Sequence, residues 1–267
     1  MTNDTTPHVQ TGTVTSPDGA TIAYTRQGAG PALVMVHCVS TSRARTPQPT
    51  LPAALAEHFT VFTYDRRGTG ESGMALPYAV EREFEDLRAI IDLAEGPVTV
   101  YGFSSGATLA LLAAAAGVPI ERLVLLEPPL FAQPDPGFTL REEAQRRIDA
   151  DLADAQRWYN TDVVGVPPEV LDHLPPLTEE DLQNTRTIVH ELEFLLGTAA
   201  ERFAGVTQPT LVIASDQTAP IMYEFADALV AAMPNAEKRI LPGEWHGVDD
   251  ATLTDAVVGF VRVGADR

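Results

Sequence analysis

Val98-Thr99-Val100-Tyr101-Gly102-Phe103-Ser104-Ser105-Gly106-Ala107-Thr108-Leu109 is the stretch from which the fold can be read. Its first half is short, apolar and β-branched, the composition of a strand covered on both faces. Its second half opens an alanine- and leucine-rich run of helical character, Ser105 to Ala116. The junction, Gly102-Phe103-Ser104-Ser105-Gly106, fits G-x-S-x-G in the strand-turn-helix setting that pattern requires. Such a turn holds its serine in a strained backbone conformation, and glycines two residues to either side relieve the crowding of strand against helix. Ser104 Oγ is thereby projected into a cleft. The amide of Ser105, at a helix N-terminus, points toward any oxyanion formed on a carbonyl that Ser104 attacks.

Outward from this segment, Leu33–His37, Thr60–Tyr64, Leu123–Leu126 and Thr210–Ala214 repeat the buried-strand composition, and Glu237–Leu241 reads as a further strand. Helical patterns alternate with them at 51–58, 80–94, 221–232 and 253–263, with Val80, Phe84, Leu87, Ile91 and Ala94 forming the clearest apolar stripe. Two earlier strands, 9–15 and 20–27, flank Pro17-Asp18-Gly19, a hairpin signal. The alternation predicts an α/β fold: an open, mostly parallel sheet with helices on both faces. The rhythm breaks between 130 and 206, where Pro167-Pro168 and Pro175-Pro176 separate charged helical segments at 141–159 and 179–196. This reads as a helical cap inserted above the strand ends, with residues 1–129 and 207–267 forming the core.

The chain resembles the α/β-hydrolase superfamily in four segments. Leu33-Val34-Met35-Val36-His37-Cys38 is similar to the strand and oxyanion loop that usually reads H-G, and Asp65-Arg66-Arg67-Gly68-Thr69-Gly70-Glu71-Ser72 to the D-x-R-G-x-G-x-S turn. Gly102–Gly106 and Gly243-Glu244-Trp245-His246 complete the set. The resemblance implies that the backbone N–H of Val39 is the second oxyanion donor and that Arg66 and Arg67 serve the turn structurally. His246, after a strand and before the last helix, has the chain position of the general base in a Ser, acid, His order.

Two positions depart from the family pattern. Cys38 stands where glycine is usual, beside the expected oxyanion site; a free cysteine there reads as a small buried hydrophobe or as a substrate-contacting thiol. The resemblance places the triad acid at position 218, which is Thr218. Two carboxylates can substitute. Glu127 ends the strand 123–126, a site from which some family members, haloalkane dehalogenases among them, supply the acid, and Pro128-Pro129 stiffens it. Asp216 lies two residues before Thr218 and serves if the loop bends differently.

The 267 residues carry 18 basic and 37 acidic side chains, a formal charge of −19 that repels nucleic acid and anionic membrane surfaces. The single cysteine excludes an internal disulfide and a cysteine-based zinc site. No apolar run approaches the roughly 18 residues of a membrane span, and the first ten residues lack a secretory pattern, so a cytoplasmic location is expected. No cofactor is implied.

These features predict a serine hydrolase that cleaves an ester, thioester or lactone through an acyl-enzyme on Ser104, with a small, apolar, carbonyl-bearing substrate as partner. Serine at 104 argues against the dehalogenase and epoxide-hydrolase branches, whose nucleophile is a carboxylate. Phe131, Phe138 and Trp158, with Cys38, are candidate substrate contacts. Two other readings stay open: a cofactor-free cyclase, lyase or C–C bond hydrolase, motivated by Thr218 and Cys38, and a ligand-sensing protein with little turnover.

Overall fold

The computed structural model describes residues 9–133, 139–171 and 173–265. Eight strands form one sheet: β1 (Gln10–Thr15), β2 (Thr21–Gln27), β3 (Ala32–Val36), β4 (Thr60–Tyr64), β5 (Val98–Phe103), β6 (Arg122–Leu126), β7 (Thr210–Ser215) and β8 (Ala236–Leu241), in the order β1-β2-β4-β3-β5-β6-β7-β8. β1 and β2 form the expected hairpin, with Asp18 Oδ1 accepting the Ala20 amide at 3.0 Å in its turn, and β2 runs antiparallel to β4. From β4 to β8 all pairings are parallel. β3, β4, β5 and β7 are buried along their whole length, which explains their unalternating apolar sequences. β8, an edge strand, carries Glu237, Lys238 and Arg239 and is half-exposed, a composition that discourages pairing with another chain.

Helices cover both faces. α1 (Leu51–Leu55) and α10 (Asp250–Ala265) pack on one through Leu51, Leu55, Leu253, Val257 and Phe260. α2 (Val80–Ile91), α3 (Ser105–Ala115) and α9 (Pro220–Ala232) pack on the other through Phe84, Leu87, Ile90, Leu109, Leu112 and Leu229. α3 is buried from Ser105 to Ala114, so its sequence has no polar stripe. The strand order reverses beside β3, which lies between β4 and β5, and open α/β sheets place their sites at the carboxyl ends of the strands at such a switch. Ser104 follows β5 at that point.

Between β6 and β7 the chain is helical: α4 (Thr139–Ala150), α5 (Leu152–Trp158), α6 (Pro168–Leu171), α7 (Glu179–Asn184) and α8 (Ile188–Leu195). The periodicity of 141–159 predicts one helical segment, and the structure divides it at Asp151. The Asp151 side chain accepts the amides of Ala153 and Asp154 at 2.8 and 3.1 Å and starts α5 as its N-cap. One π-helical turn, Tyr159–Val164, continues α5 and ends at Gly165 in a left-handed conformation. Ala144, Ile148, Ala155, Trp158, Tyr159, Ile188 and Leu192 make a small core of their own, against which Val39 of the loop after β3 packs. Polar contacts tie this segment to the same loop: Arg45 to Asp181 at 2.6 Å, and Ser42 to Glu180.

Among the described residues no helix is long and apolar enough to cross a membrane.

Candidate active site

The turn after β5 has the expected strain. Ser104 sits at φ 53°, ψ −127°, and its N–H is held by the Leu126 carbonyl of β6 at 2.8 Å. The flanking glycines are required sterically. A Cβ on Gly102 would lie 2.5 Å from Ala107 Cα, and one on Gly106 would lie 2.4 Å from the Val36 carbonyl oxygen. Both approaches fall inside van der Waals contact, so only glycine lets α3 start this close to β3 and β5.

A continuous hydrogen-bonded chain leads away from Ser104. Its Oγ is 2.9 Å from His246 Nε2, and His246 Nδ1 is 2.5 Å from Glu127 Oε2. The carboxylate can only accept, so the Nδ1 proton belongs to that bond and Nε2 is left to accept from the Ser104 hydroxyl. His246 is carried on a turn between two short strands that the sequence did not signal, β9 (Gly243–Glu244) and β10 (Gly247–Val248). Its ring lies against Phe103 and Trp245, with centroids 5.0 and 5.3 Å away.

Glu127 ends β6 and is 1% exposed. Its Oε1 accepts the Ser215 amide at 2.8 Å, and its Oε2 accepts the Thr218 hydroxyl at 2.9 Å as well as the imidazole. Burial pushes its carboxyl upward, but the bonds from His246, Ser215 and Thr218 outweigh it and hold the pKa below the ordinary glutamate value. The other carboxylate considered, Asp216, is exposed and accepts the Gly243 amide at 3.0 Å, which supports the loop before His246 without touching the imidazole.

Strain is concentrated here. Among the described residues the non-glycine positions with positive φ are Ser40, Ser104, Glu127 and His246, at 56°, 53°, 50° and 55°. Each such conformation costs on the order of 1–3 kcal/mol and persists only where its surroundings over-determine it. Three of the four belong to the hydrogen-bonded chain, and Ser40 follows Val39 in the loop after β3.

That loop lies beside the first turn of α3. The Val39 amide donates to Ser105 Oγ at 3.0 Å. Cys38 is buried in the apolar cluster beneath the sheet, 3.8 Å from Thr41 Oγ1, and burial pushes its thiol up to about 11. It is a thiol without activation. Of the candidate substrate contacts, Phe131 is half-buried, pairs with Leu196 and packs on the main core, while Trp158 lies in the small helical core with the Arg147 guanidinium 5.2 Å above its ring. Phe138 lies outside the described residues.

Behind the loop, Arg66 is buried and paired twice. It holds both oxygens of Glu83 at 2.7 Å and both of Glu191, from α8, at 3.0 and 2.7 Å. Arg67 pairs with Asp86 and Asp18. Both arginines anchor the turn to carboxylates of other elements, α2, α8 and the β1–β2 hairpin, and Glu191 joins the helical segment to the turn. Neither Glu191 nor Ser215 stood out in the sequence, because a glutamate on a helix and a serine at a strand end carry no local signature. Thr218 was visible only as a missing acid. Among the described residues no group of three or more histidine, cysteine, aspartate or glutamate side chains is gathered as a metal-ligand cluster.

A sheet of this order with a serine elbow after β5 defines an α/β hydrolase. Residues 33–260 match the model of the alpha/beta hydrolase family, and the chain belongs to that family and is a hydrolase. It is similar to the crystal structure of an alpha/beta hydrolase from Sphaerobacter thermophilus, with 39% identity, a TM-score of 0.83, and coverage of 94% of this chain and 100% of that one. An uncharacterized hydrolase of Bacillus subtilis, YraK, is 35% identical over 107 residues, a match spanning 39% of this chain and 38% of YraK. A protein of Azorhizobium caulinodans named "Putative carbamate hydrolase RutD" is 26% identical across 81% of this chain and 84% of its own length.

Proposed function

We propose that this hydrolase acts through Ser104 as nucleophile, His246 as general base and Glu127 as the acid that orients the imidazole. The observation that carries the reading is the unbroken chain from Ser104 Oγ through both ring nitrogens to a buried carboxylate, at 2.9 and 2.5 Å. In the reaction His246 Nε2 takes the hydroxyl proton as Ser104 Oγ bonds to the substrate carbonyl carbon, and the carbonyl π pair moves onto oxygen. The amide of Ser105, assisted by the N-terminus of α3, and the amide of Val39 receive that oxyanion. The imidazolium then gives its proton to the leaving heteroatom. Water, deprotonated by His246, reverses the sequence and releases the acid. Glu127 keeps the productive tautomer throughout.

The substrate class this supports is a carbonyl with a heteroatom leaving group: an ester, thioester or lactone, with carbamates added by the name of the Azorhizobium relative. Helices α4–α8 are read as a cap over the strand ends, and residues 130–206 as its extent. Phe131 and Trp158 then act from within that cap and its hinge, and Cys38 acts as packing beneath the loop. The bond from Glu127 to His246 Nδ1 supports hydrolysis over the cyclase or lyase reading that Thr218 motivated.

The test is labelling with a fluorophosphonate, with the adduct located by mass spectrometry. Modification of Ser104 that disappears in Ser104→Ala and in His246→Ala is expected. A folded wild-type protein that stays unlabelled overturns the reading.

A further inference from the structure

The Val39 amide, which the proposed reaction needs for the oxyanion, already has an acceptor. Ser105 Oγ lies 3.0 Å from it with the N–H directed at the oxygen. Ser105 is itself 2% exposed and is the residue whose own amide supplies the other donor, so its hydroxyl oxygen lies between the loop after β3 and the N-terminus of α3. An oxygen in that place does for the resting protein what the substrate's carbonyl oxygen does in the complex. A buried N–H left without an acceptor would carry a desolvation cost.

We propose that Ser105 Oγ is a placeholder in the oxyanion hole, displaced from the Val39 amide by the carbonyl oxygen of the arriving substrate. The inference rests on the reading of Ser104 as nucleophile and adds to it a positioning residue that tunes how tightly the hole closes on charge. Displacement needs only a rotation about χ1 into another staggered well. Glu191, buried on α8 and clamped by Arg66, lies beside the same hydroxyl: burial pushes its carboxyl up, and Arg66 and the Ser105 hydroxyl oppose that. Glu191 is the residue through which the helical segment reaches the hole, since the Arg66 that clamps it also donates to the His37 carbonyl at 3.4 Å, two residues before Val39.

The placeholder weakens oxyanion binding by the strength of the bond that must be given up. Ser105→Ala removes it and leaves both amides in place. An alkylboronic acid reports on this directly. Ser104 Oγ bonds to boron, its proton passes to His246, and the tetrahedral boronate puts an anionic oxygen in the hole. Inhibition of Ser105→Ala should be tighter than that of wild type by roughly three- to tenfold, the range of one neutral hydrogen bond. Loss of a merely structural hydroxyl would loosen binding instead, so equal or weaker inhibition of the variant overturns the proposal.

Exchange of the Val39 amide with solvent deuterium gives a second readout that does not depend on turnover. It should quicken in unliganded Ser105→Ala relative to wild type, and unchanged exchange rejects the placeholder even if the variant loses activity. A wild type that gives no boronate adduct at Ser104 overturns the nucleophile itself, and the placeholder with it. A wild-type adduct without tightening in the variant overturns the placeholder alone.

Discussion

Thr218 donates its hydroxyl to Glu127 Oε2 at 2.9 Å, on the same oxygen that receives His246 Nδ1. The loop after β7, where the family pattern puts an acid, therefore serves a carboxylate anchored at the end of β6. The two sites converge because β6 and β7 are adjacent and parallel, with Leu126 level with Ile213. Glu127 donates its amide to the Ile213 carbonyl at 2.9 Å, and the Ser215 amide returns to its side chain.

Glu127→Gln should lower kcat by about two to four orders of magnitude, since an amide cannot hold the productive tautomer or support the imidazolium. Asp216→Asn, which touches only the Gly243 amide, should change kcat by less than about threefold. Steady-state kinetics on an activated ester separate the two. Comparable losses in both would show that Glu127 does not orient His246.

A carboxylate can be returned to the loop after β7. In the Glu127→Gln background, Thr218→Asp places an acid at a position whose side chain already reaches the Glu127 oxygen that meets the imidazole, and kcat should recover at least about tenfold. The single variant Thr218→Val should lose about ten- to a hundredfold, the worth of one hydrogen bond to a charged acceptor. No recovery in the double variant would mean that the loop cannot aim a shorter acid at Nδ1.

His37 links stability to pH. It is 4% exposed, its Nε2 is buried with no partner among the described residues, and burial pushes its pKa from 6.5 down to about 4. The unfolded chain binds a proton there below about 6.5, while the folded chain stays neutral until about 4, so stability falls as pH drops through that window. The contribution is on the order of 3 kcal/mol across it. Urea denaturation between pH 7 and 4 should show a shallower loss for His37→Asn than for wild type, and parallel curves would place the titration elsewhere.

Arg66→Ala leaves Glu83 and Glu191 buried against each other without a counter-charge. The expected cost is about 3–5 kcal/mol, the penalty for breaking a buried pair by removing one partner. Arg66→Met/Glu83→Gln/Glu191→Gln, which removes all three charges, should recover most of it. A triple variant no more stable than Arg66→Ala would mean that the guanidinium acts by its shape alone.

The strand-turn-helix around Ser104 was legible because its signals are local: β-branched residues before the turn, glycines at 102 and 106, and an apolar helix after it. The stripe of α2 and the buried strands were legible for the same reason, since periodicity and burial are written into consecutive residues. His246 could be placed by chain order, yet the small ribbon that carries it could not. β9 and β10 are two residues each, and what holds them is the Ser215 hydroxyl bonding the Glu244 carbonyl at 2.5 Å, a contact between residues 29 apart.

The sequence by itself determined the α/β layering, the serine elbow and the position of the histidine, because short-range sterics and hydrophobic patterning specify each of them within a dozen residues. The choice between Glu127 and Asp216 was a tertiary matter. It depends on β6 and β7 lying side by side, which brings the Ser215 amide and the Thr218 hydroxyl onto Glu127 and leaves Asp216 in solvent. The bond from Val39 to Ser105, and the route from Glu191 through Arg66 to the loop after β3, were decided there as well. Those contacts join groups far apart in the chain, and hydrogen bonds of that kind acquire partners only when packing has fixed the distance between them.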